Sequence, residues 1–109
     1  MKESELERIL VREVKKEGGT AYKWISPGND GVPDRIVVFP GGEIYFVELK
    51  SDSGRVRPLQ RKQIDRLQDL GQKAMVVQGM DGLVRFFRMT GREYAAKKLE
   101  RLYEGGEAV

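Results

Sequence analysis

Three charged residues in one short stretch are suited to the hydrolysis of a phosphodiester. Asp34 precedes an apolar run of residues, and Glu48 and Lys50 end the next one. The linking segment, Pro40-Gly41-Gly42-Glu43, is typical of a tight turn, so the stretch predicts a β-hairpin. Antiparallel pairing of its two strands brings the three charged side chains to one end of the hairpin.

The second strand of this hairpin is expected to lie in the middle of a sheet. Side chains alternate between faces along a strand, so Glu48 and Lys50 share a face with Ile44 and Phe46. Both faces are apolar up to the last three residues, which predicts cover on both sides. An acid and an ammonium group at the end of such a strand lie where the sheet meets solvent, a position suited to a metal ion and its water.

Phosphodiester hydrolysis requires an attacking water, in-line geometry and neutralisation of the developing charge, and one or two hard cations supply all three. Asp34 and Glu48 are the predicted metal ligands, and the backbone carbonyl of Leu49 is a candidate third oxygen. Lys50 lies beside carboxylates, so we expect it to stay protonated, orient the water and stabilise the pentavalent transition state. Two clustered acids are costly without a cation. The alternative is a surface hairpin with solvated charges at its end.

The composition narrows the choice of metal and partner. The 109 residues fit one domain and include no cysteine and no histidine. Disulfides, thiolate zinc sites and a histidine base are therefore excluded, which leaves oxygen-bound magnesium, manganese or calcium. The formal charge of +3 and the pI of about 9.3 are compatible with an anionic partner. No apolar run is long enough for a membrane span and no signal-peptide core opens the chain, so we expect no membrane partner.

The first segment predicts an amphipathic helix that starts near Ser4 and ends at Gly18-Gly19. The spacing Ser4-x-x-Glu7 is that of a capping box. Glu7 also lies among the apolar residues of the inward stripe, at about 100° per residue. Two interpretations of Glu7 are therefore open: a helix-capping acid, or an inward carboxylate near the acidic end of the hairpin.

The remaining periodicities predict an α/β fold with one small mixed sheet flanked by helices on both sides. The order strand, helix, strand after the hairpin implies a parallel crossover. The predicted strands are Thr20–Ile25 and Lys73–Gln78, and a helix is preferred to a strand at Asp81–Met89. A helix is predicted from Pro58 to Leu70, and its inward residues are Leu59, Ile64, Leu67 and Leu70. The last predicted helix runs from Arg92 to Tyr103, and its inward residues are Tyr94, Ala95, Leu99, Leu102 and Tyr103. The end of the chain, Glu104–Val109, is expected to fray.

Two further segments have open interpretations. Ser26–Gly31 is rich in turn formers and is either a flap beside Asp34 or a plain connection between strands. A basic cluster is either a solvated helix face or, because it follows an acidic metal site, a phosphate track for DNA. Its members suit phosphate contacts and carry no base code. They are Arg55, Arg57, Arg61, Lys62 and Arg66.

Pro33-Asp34 with Glu48-Leu49-Lys50 resembles the PD-(D/E)xK motif of the restriction-endonuclease-like superfamily. A fuller pattern resembles the virus-type replication-repair nuclease (VRR-NUC) family over about residues 4–90. It consists of Glu7 in an opening helix, Gly31-Val32-Pro33-Asp34, Val47-Glu48-Leu49-Lys50, Pro58-Leu59-Gln60, and Gly71 before Lys73-Ala74-Met75-Val76-Val77. Residues 91–109, the last helix and the tail, lie outside the resemblance.

The resemblance implies a restriction-endonuclease-like core in a single domain of residues 1–109, and a magnesium- or manganese-dependent DNA endonuclease. Asp34, Glu48 and Lys50 would form the core site. Glu7 would be the opening-helix glutamate of the family, with a catalytic and metal-binding role, and Gln60 would support the site. Small members resemble Holliday-junction resolvases, which implies a homodimer acting on branched DNA in the cytoplasm of a bacterial or phage-infected cell. The aromatic-rich region from Phe86 to Tyr103 is a candidate dimer interface.

Three functions compete on these grounds. The first is a nuclease that resolves four-way junctions, and the second is a nuclease of flaps, single strands or nicked duplex in replication and repair. The third is a DNA-binding or assembly module without catalysis, in which the acids serve structure. The intact set Glu7, Asp34, Glu48 and Lys50 argues against the third, because a decayed enzyme is expected to lose at least one member.

Overall fold

A computed structural model describes residues 1–103, and the predicted fraying of Glu104–Val109 lies outside the described residues. Four strands and four helices follow one another along the chain. They are α1 Glu3–Lys16, β1 Thr20–Lys23, β2 Arg35–Phe39, β3 Glu43–Lys50, α2 Pro58–Asp69, β4 Ala74–Gln78, α3 Gly79–Met89 and α4 Glu93–Tyr103. The helix predicted at Asp81–Met89 is confirmed, and it begins two residues earlier.

The strands form one mixed sheet in the order β1-β2-β3-β4. The first three are antiparallel neighbours, and β4 is parallel to β3. A parallel pair needs a crossover connection, and α2 provides it between β3 and β4. The β2–β3 ladder ends where Arg35 pairs with Val47, whereas the β3–β4 ladder continues to Lys50. The last residues of β3 are therefore paired with β4 on one side only. On their other side no strand pairs with them, because β2 begins at Arg35.

Helices α1, α3 and α4 cover one face of the sheet and enclose the hydrophobic core. Val37, Val47 and Leu49 reach this core from the sheet, and Phe86 and Phe87 reach it from α3. Helix α2 lies on the other face, where its Ile64 is fully buried. Helices cover both faces of β3 at its Lys50 end, but not at Ile44, which is 45% exposed. The prediction of complete cover was therefore wrong at the hairpin end, because one short helix spans only part of that face.

The N-cap of helix α1 is Lys2, two residues before the predicted Ser4. The backbone N–H of Lys2 donates to Glu5 Oε1 at 3.3 Å, and Lys2 is the N-cap residue. The predicted capping box of Ser4 and Glu7 was therefore wrong. Glu7 lies in the second turn and is free for a tertiary contact.

The inward stripes of the two later helices also needed correction. Leu59 of α2 and Leu70, its C-cap residue, are exposed, because Gln60 and Ile64 turn toward the sheet in their place. Tyr94 and Leu102 of α4 are exposed too, whereas α4 buries Ala95, Ala96 and Leu99. Small residues allow close approach of two helices, and close approach to α3 sets the rotation of α4.

The predicted dimer interface from Phe86 to Tyr103 cannot use its two phenylalanines, because both are buried in the core. Phe86 and Phe87 pack edge to face in the core and have almost no exposed surface. A partner chain could not reach these rings without unfolding α3. Within residues 1–103, no helix has both the length and the apolar character needed to cross a membrane.

The segment between β1 and β2 is anchored on the first turns of α2. Gln63 Nε2 donates to the backbone oxygen of Asp30 at 3.2 Å. Gly31 has a φ of 88°, and a Cβ at this position would lie 2.7 Å from the backbone carbon and oxygen of Leu59. Only glycine combines this left-handed backbone with so close an approach. This packing places Asp34 beside the start of α2.

We expect Gly31→Ala to destabilise the protein more than Gly28→Ala. Both glycines have a positive φ, but a Cβ at Gly28 would meet nothing within 4 Å, so Gly28→Ala carries the strain alone. Gly28→Ala should cost about 1 kcal/mol and Gly31→Ala about 2–4 kcal/mol in the free energy of unfolding. Urea denaturation of the two variants measures the difference. Equal costs would show that Gly31 does not pack tightly on α2.

Candidate active site

The carboxylate of Glu48 lies at the centre of the predicted site, and it is buried. The residue is 1% exposed, and its Oε2 accepts a hydrogen bond from Gln60 Nε2 at 2.9 Å. Lys50 Nζ lies 3.4 Å from the same oxygen, on the same face of β3, as strand alternation predicts. The other oxygen, Oε1, is buried and has no hydrogen-bond partner within residues 1–103. A buried carboxylate oxygen without a donor is costly, so this atom is suited to a ligand.

Gln60 is held in place by the start of α2. Its Oε1 accepts a hydrogen bond from the backbone N–H of Arg57, the N-cap residue of the helix, at 2.9 Å. Because the amide oxygen is used in this way, the amide nitrogen is the atom that faces Glu48. The structure therefore places Gln60, the predicted supporting residue, in contact with Glu48. The same side chain caps the first turn of α2 and donates a hydrogen bond to Glu48.

Asp34 is brought to the end of β3 by a backbone donor. Its Oδ2 accepts a hydrogen bond from the N–H of Leu49 at 3.0 Å. The N–H and C=O of one strand residue point to the same side, so the Leu49 carbonyl also points toward Asp34. No strand pairs with this side of Leu49, because the β2–β3 ladder stops at Arg35. Asp34, Glu48 and the Leu49 carbonyl thus border the same open end of the sheet.

Burial and charge together raise the pKa of Glu48 from 4.5 to about 7. Desolvation of the buried carboxylate is the largest cause, and the negative charge of Asp34 is the next. The positive charge of Lys50 and its hydrogen bond lower the pKa in part, and Glu3 adds a smaller rise. The positive charge of Lys50 therefore does not fully neutralise the negative charges of Asp34 and Glu48 when both are ionised.

Glu7 has a partner outside this cluster. Its Oε2 accepts a hydrogen bond from Arg35 Nε at 3.0 Å, and Arg35 Nη1 donates to the Ala21 carbonyl at 3.0 Å. Arg35 pairs with Val47 of β3, and Val47 faces the core and α1. Glu7 therefore lies on the α1 face, whereas Glu48 faces α2. Across residues 1–103, no group of three His, Cys, Asp or Glu side chains is placed to hold a metal, so Glu7, Asp34 and Glu48 do not form one.

Glu3 is the acid of α1 that sequence reasoning missed. Its charge contributes to the raised pKa of Glu48, so it lies within electrostatic range of the site. Glu3 and Glu7 are four residues apart and share one face of the helix. The spacing of four residues from Glu7 is the sequence signal that could have identified Glu3 as a residue near the site. Its use requires knowing that the N-terminal end of α1 is the end nearer to Glu48.

The basic cluster lies on the exposed side of α2 and in the loop before it. Arg57 is the N-cap residue, three positions before Gln60, so the cluster begins next to the site. One member, Arg61, lies 3.9 Å from Asp65 in a half-exposed pair, which is worth little energetically. All five side chains are exposed, namely those of Arg55, Arg57, Arg61, Lys62 and Arg66. Both a solvated face and a phosphate track fit this arrangement.

The donor set at the end of β3 fits a hard divalent cation. It offers carboxylate oxygens of Asp34 and Glu48 and a backbone carbonyl, the ligands that magnesium, manganese and calcium prefer. The unpaired Glu48 Oε1 is the observation that favours a cation here. A bound cation would also remove the repulsion between the two acids, because it supplies the missing positive charge.

Solved structures show to which fold class this chain belongs. A chain named "VRR_NUC domain" superposes with a TM-score of 0.67 and 24% identity, over 94% of each chain. Another, named "VRR_NUC domain protein", has a TM-score of 0.65 and 18% identity, over 81% of this chain and 86% of that one. The protein therefore has the α/β fold of the VRR-NUC nuclease-like domains, as the resemblance in sequence predicted.

Sequence comparison then gives the family. Residues 1–81 match the VRR-NUC domain. A phage protein named "Putative nuclease p44", from Acyrthosiphon pisum secondary endosymbiont phage 1, is 44% identical over 81 residues, which are 74% of this chain and 87% of that protein. The chain belongs to the VRR-NUC family. Membership supports an enzyme that acts on nucleic acid, in a family that generally uses divalent metals.

In the absence of metal, we expect Glu48→Gln to become more stabilising as the pH rises. The folded pKa of about 7 lies above the unfolded value of 4.5, so the stability that Glu48 contributes is complete below about pH 4.5 and lost as the pH passes 7. The free energy of unfolding of Glu48→Gln minus that of the wild type should rise by the order of 3 kcal/mol between about pH 4.5 and about pH 8. Urea denaturation in a chelating buffer measures it, with Asp81→Asn as an exposed control. A difference that stays constant with pH would contradict the raised pKa.

Proposed function

We propose that this protein is a metal-dependent DNA endonuclease that hydrolyses phosphodiester bonds in branched DNA, and that it resolves four-way junctions as a homodimer. The observation that carries the proposal is the buried, unpaired Glu48 Oε1, next to Asp34 and Lys50 at the open end of the sheet. Its relation to a phage protein supports a role in the cytoplasm of a bacterial or phage-infected cell. A two-fold symmetric enzyme suits a four-way junction, because a symmetric substrate is then cut at paired positions.

Asp34, Glu48 and the Leu49 carbonyl are the groups that would hold Mg²⁺ or Mn²⁺. Such a cation, when bound, supplies charge neutralisation and a water of lowered pKa for attack on phosphorus. The protein prepares the two acids for this task. Gln60 fixes Glu48 Oε2 and leaves Oε1 available, and the Leu49 N–H fixes Asp34 Oδ2 and leaves Oδ1 available.

Lys50 has the position of an electrostatic stabiliser. Its ammonium lies beside Glu48 and is almost buried, so its charge acts in a medium that screens poorly. A phosphate that approaches Asp34 and Glu48 would bring its oxygens toward Lys50. Negative charge gathers on those oxygens in the pentavalent transition state, and a fixed cation stabilises it there.

The exposed basic cluster along α2 supports DNA as the substrate. Its residues begin at Arg55 and Arg57, next to the site, and continue through Arg66 along about two turns of helix. Lys and Arg side chains in such an array neutralise successive phosphates without reading bases. The array therefore favours recognition of backbone shape, as a branched substrate requires.

Cleavage assays test the reaction and the substrate together. We expect the wild type to make paired symmetric cuts in a labelled four-way junction with Mg²⁺ or Mn²⁺, and Asp34→Ala to lose at least about 100-fold in rate, because removal of a metal ligand removes both the charge and the water that it positions. Asp81→Ala, an exposed acid on α3, should cut as the wild type does. Flap and plain duplex DNA are assayed beside the junction.

Two outcomes would change this proposal. Cleavage of flap, nicked or single-stranded DNA without junction cleavage would keep the site and replace the substrate by that of a replication-repair nuclease. Equal DNA binding by wild type and Asp34→Ala, with no cleavage by either, would make the protein a binding module in which the acids serve structure.

Glu3→Gln and Glu7→Gln separate the two glutamates of α1. We expect Glu3→Gln to weaken Mn²⁺ binding about threefold, because it removes a negative charge near Glu48. We expect Glu7→Gln to leave Mn²⁺ binding unchanged and to cost about 1–2 kcal/mol of stability, because it weakens the Arg35 contact. Calorimetric titration and urea denaturation measure the two effects. The sequence by itself predicts a metal-binding role for Glu7. A loss of Mn²⁺ affinity in Glu7→Gln as large as that in Glu3→Gln would support that role and contradict the result expected here.

A further inference from the structure

Two aromatic side chains at the end of β1 lie on the same face of the sheet as the candidate site. Tyr22 is in register with Ile36 of β2, and Ile36 is in register with Phe46 of β3, so these three side chains share one face. Trp24, two positions after Tyr22, points to that face as well, and its ring lies 5.4 Å from that of Phe46. Glu48 follows Phe46 by two positions in β3, so the aromatic pair and the buried acid are on one side of the sheet.

Trp24 is the neighbour of Asp34 on the adjacent strand. Its backbone N–H donates to the Asp34 carbonyl at 2.9 Å, which extends the β1–β2 register by one residue. Adjacent strands are about 4.8 Å apart, so Trp24 stands one strand away from the acid. A DNA strand with a phosphate at Asp34 and Glu48 would therefore bring the base of that nucleotide, or of the next one, to the indole.

The two rings have surface that the protein leaves open. Tyr22 is 58% exposed, and Trp24 is half-buried with Phe46 as its aromatic neighbour. Helix α2 lies over the β4 side of this face, where Gln68 donates to the Ala74 carbonyl, and leaves β1 without a helix. Exposed aromatic rings on the surface of a sheet are a common platform for the stacking of unpaired bases.

The spacing of the rings indicates the state of the DNA strand that they fit. Side chains two positions apart on a strand are separated by about 7 Å, whereas stacked bases of a duplex are about 3.4 Å apart. Two successive bases therefore reach Tyr22 and Trp24 only when the strand is unstacked and extended. Charge on the protein is arranged for the same strand, because Lys50 and Arg57 beside the acids are suited to its phosphates, while the rings are uncharged and suited to base faces.

We propose that Trp24 and Tyr22 form a stacking platform for unpaired bases next to the scissile phosphate. The inference rests on the proposed function for its reaction, and it deepens that function by naming a feature of the substrate. Bases within a paired duplex have their faces covered by their neighbours, so intact duplex uses only the phosphate contacts. A strand with unpaired nucleotides beside the cut gains the two rings as well.

Binding of oligothymidine in a chelating buffer tests the platform without cleavage, against an abasic oligonucleotide of equal length. The two probes carry the same phosphates and differ only in their bases. We expect the wild type to bind oligothymidine about 10-fold more tightly than the abasic probe. Trp24→Ala and Tyr22→Ala should each lose most of this preference and keep their affinity for the abasic probe, whereas Trp24→Phe should retain it. Tyr94→Ala is the matched control, because Tyr94 is 76% exposed but lies on α4, in the other layer.

Trp24 also reports directly on the contact, because it is the only tryptophan of the chain. Oligothymidine should quench its emission, and the abasic probe at equal saturation should not. Absence of quenching, or equal affinity of the wild type for the two probes, would overturn the proposal whatever the stability of the variants. Emission that shifts with protein concentration and not with oligothymidine would overturn it in favour of a protein contact at this ring.

Cleavage separates this inference from the proposed function. An abasic nucleotide next to the cut should slow the wild type about 10-fold, and Trp24→Ala should cut the normal and the abasic substrate at the same rate. A preference for oligothymidine without cleavage of any DNA would leave the platform standing and remove the reaction. Cleavage by a wild type that has no such preference would leave the reaction standing and remove the platform.

Discussion

The burial of one carboxylate, that of Glu48, is the constraint on which the site depends. Placing an ionised acid in a protein interior costs several kcal/mol, and a hydrogen bond to a charged group returns only about 1.5–3 kcal/mol. The contacts from Gln60 and Lys50 reach one oxygen of Glu48 and leave the other unpaired. The raised pKa of Glu48 expresses this imbalance. A cation between Glu48 and Asp34 is the natural compensation, which is why the geometry supports metal-dependent chemistry.

The crossover helix from β3 to β4 holds the site together. Ile64 docks α2 on the sheet, and the same helix delivers Gln60, which caps its own first turn and donates to Glu48. The loop before β2 then packs through Gly31 on that turn and sets the position of Asp34. The parallel β-α-β unit and the site therefore share the same contacts, and a change at Gly31 should alter the position of Asp34.

The chain contains the pattern Glu-x-Lys twice, and secondary structure decides what each copy does. In Glu48-Leu49-Lys50 the strand period of two puts the charges on one face, 3.4 Å apart. In Glu13-Val14-Lys15 the helix turns Lys15 away, and buried Glu13 instead pairs with Lys98 of α4 at 2.6 Å. The second pair ties the C-terminal helix to α1. The same spacing thus gives a candidate site on a strand and a structural ion pair on a helix.

The sequence by itself determined the α/β class, the hairpin, the parallel crossover and the meeting of Asp34 with Glu48 and Lys50, because all of these follow from local periodicity and from turn residues. The tertiary structure decided which helix flank is buried, since amphipathic stripes predict a side and not the extent of the surface it meets. It therefore placed Leu59, Leu70, Tyr94 and Leu102 outside. It also assigned Glu7 to Arg35 and brought Glu3 within range of Glu48, because the end of α1 that approaches the site depends on how α1 docks. Charge contacts between distant segments arise only when packing fixes their orientation, and no spacing within one segment specifies that.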